Sequence, residues 1–288
     1  MALTTRRRAV SALAAALAGA VATPSYAQAA NRIPAGWGPR PLRQAHAHND
    51  YLHPRPLLDA LSHGFTSVEA DIFLVDGELL VAHEPAALDP ARTLRKLYLD
   101  PLFARVRANH GFVHRGYHRP VQLLIDIKTD GVAAYNELHR QLTAYRSMLS
   151  TYSYGSVRLG AVTPVISGDR AAREPMEAQR VRYAFYDGRL EDLGTAAPAS
   201  FVPLISSNWT QSFDWQGAGD FPAEEHAELC RIVTAAHSRG QRVRFWATPD
   251  VAGPERDAVW AVLLGAGVDH LNTDDLAGLE RFLRDHRR

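Results

Sequence analysis

The sequence predicts an α/β protein, a single (β/α)8 TIM barrel with a β-hairpin inserted after the second strand. Apolar, β-branched segments alternate with segments of helical periodicity along most of the 288 residues, which is typical of a parallel sheet covered by helices. Eight strand–helix steps suit a closed barrel, and no shift in composition divides the chain. The strands are expected to start near residues 42, 66, 121, 159, 183, 202, 243 and 268.

The first strand leads directly into a run of polar residues. Leu42-Arg43-Gln44-Ala45 is followed by His46-Ala47-His48-Asn49-Asp50. A short helix is then expected over residues 56–61, which follows Pro54 and ends at Gly64. This order gives the first strand–helix step and predicts polar side chains at the C-terminal end of the first strand.

Two carboxylates lie on one face of the second strand. Phe65-Thr66-Ser67-Val68 is mostly apolar or β-branched, as in a buried strand, and it leads into Glu69-Ala70-Asp71. Side chains two residues apart on a strand point the same way, so Glu69 and Asp71 repel unless a cation or a shared proton relieves them. Hard divalent cations take oxygen ligands. The pair therefore predicts a site for one cation, Mg²⁺ or Ca²⁺.

A hairpin and the third strand bring further polar residues towards this pair. Asp76-Gly77 is a typical hairpin turn, and the strand that returns from it delivers His83. The third strand, from residue 121, carries Asp126 and Lys128 on one face. Because active sites of TIM barrels form at the C-terminal strand ends, these side chains are expected to converge there.

The remaining chain repeats the strand–helix alternation. Periodicity predicts helices over residues 93–109, 132–149, 174–180, 222–239, 255–264 and 276–284. Trp246 closes the seventh strand, where it fills the barrel mouth or forms an aromatic wall for a head group. Asp274 follows the eighth strand and is expected to cap the last helix.

The convergent residues suit metal-assisted cleavage of a phosphodiester. Glu69, Asp71 and Asp126 are the predicted metal ligands, and the cation would neutralise the non-bridging phosphate oxygens. Two histidines, His46 and His83, would act as general base and general acid, because the pKa of imidazole lies near neutrality. Lys128 either adds a fixed positive charge that binds the phosphate or simply forms an ion pair with Asp126.

The first 29 residues have the pattern of a cleaved signal peptide. Arg6, Arg7 and Arg8 are basic, residues 9–22 are small and mostly apolar, and Ala27-Gln28-Ala29 fits a small-x-small cleavage site. A run of this length is too short to span a bilayer, and no later run is longer. We expect an exported protein, periplasmic or secreted through the Sec or the twin-arginine route, with the barrel domain at residues 30–288.

The net charge argues against a nucleic-acid partner, and the cysteine content excludes an intrachain disulfide. Removal of three arginines and no acid would leave 29 basic against 31 acidic residues, a net charge of −2. A general basic surface for nucleic acid is therefore not expected. Cys230 is the single cysteine, so no intrachain disulfide forms, and it is interpreted as a core residue. The sequence makes no prediction of oligomeric state.

The motifs together resemble the glycerophosphodiester phosphodiesterase and phosphatidylinositol phospholipase C superfamily of barrels. The matching segments, spread over nearly the whole mature chain, are His46 with Asn49, Gly64, the E-x-D of Glu69 and Asp71, the Asp76-Gly77 turn, His83-Glu84, Asp126-Ile127-Lys128, Trp246-Ala247-Thr248 and Gly267–Asp274. The starting run HAHNDY and the runs Arg244–Trp246 and Leu271–Leu276 are most similar to the branch related to the fungal "altered inheritance of mitochondria" proteins.

This resemblance implies a phosphoric diester hydrolase that acts on a glycerophosphodiester or a phospholipid-derived head group. It implies His46 and His83 as the acid/base pair and three carboxylates, Glu69, Asp71 and Asp126, as metal ligands. Asn49, Lys128 and Trp246 are the expected substrate-binding residues. A cyclic phosphate is an expected intermediate or product, because family members commonly attack phosphorus with a hydroxyl of the substrate itself.

The sequence departs from the family pattern in the first loop, and other functions stay open. The usual H-R-G and the Glu of a P-E-N-T segment are absent, which leaves Asn49 or Asp50 as replacements for that Glu. His46-x-His48 also resembles the start of an amidohydrolase zinc site, although the fifth and sixth strands supply no histidine for it. The remaining alternative is an exported binding barrel without catalysis.

Overall fold

Eight parallel strands close into a barrel in the computed structural model, which describes residues 38–286. In chain order the strands are β1 (Leu42–Ala47), β2 (Phe65–Val75), β3 (Glu78–Val81), β4 (Val121–Ile127), β5 (Thr151–Ser153), β6 (Ser156–Arg158), β7 (Val162–Gly168), β8 (Val181–Arg182), β9 (Phe185–Gly188), β10 (Leu204–Asn208), β11 (Arg242–Trp246) and β12 (His270–Thr273). The barrel order is β1-β2-β4-β7-β9-β10-β11-β12, and pairing of β12 with β1 closes the ring. The predicted (β/α)8 class is confirmed.

The helices follow the strands on the outside of the barrel. They are α1 (Leu58–Ser62), α2 (Asp100–Ala108), α3 (Gly131–Ala144), α4 (Arg173–Glu177), α5 (Trp209–Ser212), α6 (Ala223–Ser238), α7 (Pro254–Ala266) and α8 (Leu276–Asp285). A π-helical turn, Arg95–Leu99, precedes α2. Between β9 and β10, the described chain has only a 3-10 turn, Leu190–Asp192, in place of an α-helix. No helix within residues 38–286 has the length and apolar character needed to cross a bilayer.

The hairpin after the second strand extends β2 beyond the barrel. Strand β3 pairs antiparallel with the end of β2, from Ile72 opposite Val81 to Val75 opposite Glu78. The turn residues Asp76 and Gly77 have φ values of 49° and 80°, as a two-residue hairpin turn with a right-handed strand twist requires. The hairpin positions the segment that follows β3 above the barrel rim.

A three-stranded antiparallel sheet, formed by β5, β6 and β8, was not predicted. Periodicity predicts a helix through residue 149, but α3 ends at Ala144. The strands of this sheet are two or three residues long, too short for an alternating pattern to distinguish them from a loop. The sheet lies outside the barrel ring.

Helix α3 illustrates why the predicted helices form. The Asp130 side chain accepts hydrogen bonds from the amides of Val132 and Ala133 and so caps the N-terminus. Residues at three- and four-residue spacing, Ala134, Tyr135, Leu138 and Leu142, are buried against the barrel.

On α6, Cys230 is only half-buried, and its Sγ lies 3.7 Å from His226 Nε2. The interpretation of this cysteine as a core residue is therefore wrong, because it lies beside the buried face of α6.

The interior of the barrel combines a small apolar cluster with buried polar and charged side chains. Leu124, Val165, Phe185 and Leu204 form a buried apolar cluster. Every barrel strand also contributes a buried polar or charged side chain, and those of β1, β2, β11 and β12 include His46, Glu69, Arg244, His270 and Asn272. A barrel interior of this kind positions charges close together in a medium of low polarity.

The predicted signal peptide falls on residues 1–29, which lie outside the described residues.

Candidate active site

Three carboxylates meet at the C-terminal ends of β2 and β4. Alternation places Glu69 and Asp71 on the inner face of β2, and parallel pairing puts Asp71 directly beside Asp126. One carboxylate oxygen from each residue lies within 4.8 Å of the others. Lys128 Nζ is 3.1 Å from Asp71 Oδ2 and 3.1 Å from Asp126 Oδ1. The acidic triad and its lysine are therefore brought together as the sequence predicts.

The three carboxylates have different electrostatic surroundings. Burial raises the pKa of Asp126 to about 6; the Lys128 ammonium opposes this rise, and the other two carboxylates add to it. Burial and the charge of Glu69 also raise the pKa of Asp71. Burial opposes ionisation of Glu69 as well, but the charge of the Arg244 guanidinium holds the pKa of Glu69 well below its usual range. Glu69 therefore holds its negative charge most firmly, and a cation bound beside Asp71 and Asp126 would favour their ionised forms.

The acidic triad fits a hard divalent cation by its donors and by an unused oxygen. Asp71 Oδ1 is buried and has no hydrogen-bond partner among the described residues, although a buried polar atom is normally satisfied. All three side chains offer carboxylate oxygens, which suit Mg²⁺ or Ca²⁺ better than zinc. Within residues 38–286, these three residues are the one group of histidine, cysteine and acidic side chains close enough to hold an ion.

His83 reaches the acidic triad from the hairpin. Its Nδ1 lies 3.1 Å from Asp71 Oδ2 and 3.0 Å from the Tyr51 hydroxyl. The Tyr51 hydroxyl is 2.6 Å from Asp71 Oδ2 and 2.7 Å from Asn49 Oδ1, so its proton is shared between two acceptors. Burial and the charge of Asp71 raise the pKa of Tyr51, which keeps that proton in place. The His83 side chain is 55% exposed, and its Nε2 has no partner among the described residues.

His46 lies deeper and is completely buried. Its Nε2 is 2.8 Å from Arg244 Nη1 and 3.2 Å from Glu69 Oε2, and its Nδ1 is 2.7 Å from Ser67 Oγ. Arginine only donates, so Nε2 accepts and Nδ1 carries the proton that goes to Ser67. Burial lowers the pKa of His46 to about 4. His46 is thus a neutral imidazole with both nitrogens occupied.

His48, two residues further along, has a ring nitrogen, Nε2, without a hydrogen-bond partner among residues 38–286. Its Nδ1 donates to Asp274 Oδ1 at 2.8 Å, and its side chain is 30% exposed. Burial opposes protonation, but the bond with Asp274 and the charge of Glu69 raise the pKa of His48. The predicted cap role of Asp274 is wrong: Asp275 Oδ1 accepts from the Gly278 amide and caps α8. Asp274 instead orients His48.

Asn49 and Trp246 occupy different positions relative to the acidic triad. Asn49 has a left-handed backbone with φ 47°, and its side chain lies between Tyr51 and Asp274, 3.3 Å from both carboxylate oxygens of the latter. Trp246 ends β11 beside Asn208 and is partly buried. Among the described residues, no hydrogen bond or ring contact joins Trp246 to the acidic triad. Asn49 thus belongs to the site network, and Trp246 lies at the rim.

Two site residues were missed as functional residues. Arg244 contacts His46, Glu69 and Asn272, the last with 3.3 Å between Nη1 and Oδ1. The available signal was an arginine two residues before Trp246 in an apolar strand, since such a side chain faces the interior. Tyr51 is the second site residue that was missed, and its place in the run HAHNDY was the only feature of the sequence that could have indicated a role. Of the two expected substitutes for the missing Glu, Asp50 is engaged elsewhere: its Oδ2 accepts from the Leu57 amide and the Tyr98 hydroxyl.

Fold and site together place the chain in the class of phosphodiesterase-type TIM barrels. A model of the AIM6-like phosphodiesterase domain matches residues 40–187, and one of the glycerophosphoryl diester phosphodiesterase family matches residues 242–277. These two segments contain the acidic triad, Lys128, the three histidines at or near it and Arg244.

Curated relatives and a solved structure are similar over most of the chain. Altered inheritance of mitochondria protein 6 from Eremothecium gossypii is 30% identical over 84% of this chain and 69% of its own. A homologue from Arthroderma benhamiae is 30% identical over 80% of this chain and 81% of its own. The chain belongs to the AIM6-like phosphodiesterase family. A glycerophosphodiester phosphodiesterase structure from Agrobacterium tumefaciens aligns with a TM-score of 0.45 and 15% identity, over 83% of this chain and 99% of the other.

Proposed function

We propose that this protein is a metal-dependent phosphoric diester hydrolase that acts on a glycerophosphodiester or a phospholipid-derived head group. The observation that carries the proposal is the convergence of three carboxylates with Lys128, beside two imidazoles that each hydrogen-bond a carboxylate through Nδ1. One divalent ion, Mg²⁺ or Ca²⁺, would be held by Glu69, Asp71 and Asp126. When bound, it would supply charge neutralisation at the phosphate oxygens.

Proton transfer in this proposal belongs to His83 and His48. In both rings Nδ1 is held by a carboxylate, and Nε2 is directed away from that carboxylate, free to exchange a proton with substrate oxygens. His48 has the raised pKa and suits the acid that protonates the leaving oxygen. His83 then takes the proton of the attacking hydroxyl, which belongs either to the substrate, giving a cyclic phosphate, or to water.

His46 takes a supporting part in this scheme instead of the acid/base part expected from the sequence. Its ring separates the Arg244 guanidinium from the Ser67 hydroxyl and bonds to both. Arg244 in turn contacts Glu69 Oε2 at 3.1 Å. Arg244 therefore fixes the orientation of Glu69, and His46 holds Arg244 in place by accepting from its guanidinium. Lys128 provides the charge that faces the phosphate.

Substrate selection falls to groups around the acidic triad. Asn49, beside Tyr51 and Asp274, and Trp246, at the rim of β11, are the proposed contacts for the alcohol part of the diester. The N-terminal pattern supports export to the periplasm or the medium, where phospholipid head groups and their diesters would be the substrates.

The test is chelator-sensitive hydrolysis by the mature protein. Bis(4-nitrophenyl) phosphate and glycerophosphocholine would be incubated with EDTA and then with excess Mg²⁺ or Ca²⁺. We expect turnover that EDTA abolishes, that one of the two ions restores, and that Asp126→Asn reduces at least ~100-fold through the lost ligand. Asp214→Asn, an exposed change of the same kind, is the control. Zinc in the purified protein, or no hydrolysis of any diester, would favour the amidohydrolase or the binding-barrel alternative.

Single substitutions separate the two histidine assignments. His48→Asn and His83→Asn should each lower kcat by about 10²–10⁴-fold, the usual contribution of a general acid or base. His46→Asn should instead lower the stability of the protein and its affinity for the metal. A loss of kcat with His46→Asn and normal rates with His48→Asn would restore the assignment made from the sequence.

A further inference from the structure

A cavity of about 780 Å³ lies at the end of the barrel opposite the acidic triad. Every barrel strand contributes a lining residue at or next to its N-terminal end, from Gln44 on β1 to His270 on β12. TIM-barrel enzymes carry their chemistry at the other end, so the proposed hydrolysis makes no use of this cavity. Its volume is within the range of pockets that enclose small molecules.

The cavity is lined by an excess of positive charge. Three arginines face it, Arg43, Arg119 and Arg242, against one carboxylate, that of Asp269. Asp269 already accepts hydrogen bonds from His237 Nε2 at 2.8 Å and from a backbone amide at 2.9 Å. In the part of the chain that the structure describes, none of the three guanidinium groups forms an ion pair with a carboxylate. The cavity therefore attracts anions.

Arg242 is the deepest of these cations and its contacts are all with neutral groups. Its Nη2 donates to Gln122 Oε1 at 2.7 Å and its Nη1 to His270 Nε2 at 3.0 Å. Burial lowers the pKa of both Arg242 and His270, so the imidazole adds no charge that could balance the guanidinium. Asp269 and Asp187 attract the Arg242 guanidinium from beyond ion-pair distance, but burial prevails. A bound anion would offset the remaining cost of enclosing this cation.

The rim of the cavity adds apolar surface. Val157 and Leu159 are 38% and 67% exposed, and both line the cavity together with Tyr117 and Phe185. Apolar groups of this size that remain exposed beside an arginine cluster suit a ligand with an organic part as well as a charge. A guanidinium group binds phosphate oxygens in a bidentate manner.

We propose that this cavity is a second ligand site, which binds an organic phosphate monoester with its phosphate at Arg242 and its organic part against Tyr117 and Leu159. A dianion matches three arginines better than a monocarboxylate does, because more of the positive charge is compensated. The inference does not depend on the hydrolytic activity, since the two sites lie at opposite ends of the barrel.

The test is calorimetric titration of the purified protein in EDTA with phenyl phosphate, inorganic phosphate and benzoate. We expect saturable binding of phenyl phosphate, binding of phosphate weaker by about tenfold, and no binding of benzoate in the same range. Arg242→Met should weaken binding of phenyl phosphate at least ~10-fold and Arg242→Lys less, because charge is retained without the bidentate geometry. Arg180→Gln, an exposed arginine without a charged partner in the described chain, is the matched control.

Two further variants keep the test decisive. Arg119→Gln changes an exposed side chain at the rim and should weaken binding about threefold even if Arg242→Met fails to fold. Lys128→Met removes a cation at the acidic triad and should leave binding unchanged. Binding that survives Arg119→Gln and is lost in Lys128→Met would place the ligand at the acidic triad and overturn the proposal, as would the absence of phenyl phosphate binding at millimolar concentration.

Discussion

Replacing Asp50 with asparagine should stabilise the protein at alkaline pH. This carboxyl lies in the loop that carries His48, Asn49 and Tyr51, and it is completely buried. Two donors favour its ionised form, the Leu57 amide at 2.5 Å and the Tyr98 hydroxyl at 2.9 Å. Both reach Oδ2, however, and Oδ1 is buried with no partner among the described residues. Burial prevails and raises the pKa of Asp50 from 3.8 to about 7.

The raised pKa fixes the sign and the size of the effect. Between the two pKa values the folded state binds a proton that the unfolded state has lost. The corresponding stabilisation is fully present below about pH 4 and is lost as the pH rises through about 7. At about 1.4 kcal/mol for each pH unit, ionised Asp50 costs the folded state roughly 4 kcal/mol. About two of those pH units lie above pH 5, so roughly 3 kcal/mol of the loss falls between pH 5 and pH 8.5.

Urea denaturation followed by circular dichroism at pH 5 and pH 8.5 measures this change. Asparagine keeps an acceptor for both donors and carries no charge. The free energy of unfolding of Asp50→Asn, relative to the unsubstituted protein, should therefore rise by roughly 3 kcal/mol between the two pH values. Asp214→Asn, at the surface, should show no such rise. Equal pH dependence in Asp50→Asn and the unsubstituted protein would refute the reasoning, because the carboxyl would then be ionised at little cost.

Three further substitutions test the site. Tyr51→Phe removes the hydroxyl bond to Asp71 and should lower kcat about tenfold with little loss of stability, measured by initial rates and thermal melts. Arg244→Met leaves the Glu69 carboxylate buried without its cation and should cost about 3–5 kcal/mol in urea denaturation; a loss below 1 kcal/mol would contradict this pairing. Gly168→Ala, at φ +80°, would place a methyl 2.2 Å from a backbone oxygen of β4 and should lower both the melting temperature and the metal affinity.

The acidic triad could be predicted because it depends on two short-range rules. Alternation along β2 puts Glu69 and Asp71 on one face, and the parallel pairing of β4 with β2 places Asp126 beside them. Lys128 follows from the same alternation along β4. The position of His83 near the acidic triad could be predicted from the Asp76-Gly77 turn alone, because that turn directs the next strand back towards Glu69 and Asp71. In each case, the residues are close in sequence or lie on neighbouring strands that the barrel class already orders.

The bonds that close the barrel could not be predicted in this way. Arg244 and His46 are 198 positions apart, and His48 and Asp274 are 226 apart. They meet because β1 pairs with β12, in a register that no local pattern specifies. Each of these residues can be interpreted locally without a distant partner. Asp274 precedes a helix and was therefore predicted to cap it, which was wrong because its partner, His48, lies at the other end of the chain.

The two histidines at the end of β1 show most clearly what the sequence could not predict. His46 and His48 are two residues apart, so alternation assigns both to the inner face and cannot tell them apart. What differs is depth: His46 pairs within the barrel, opposite Asn272, whereas His48 follows the end of β1. Burial lowers the pKa of His46 to about 4, and the bond with Asp274 raises that of His48. One layer of barrel depth, set by how the last strand closes on the first, therefore decides which imidazole is kept neutral by burial and which has its pKa raised by a carboxylate.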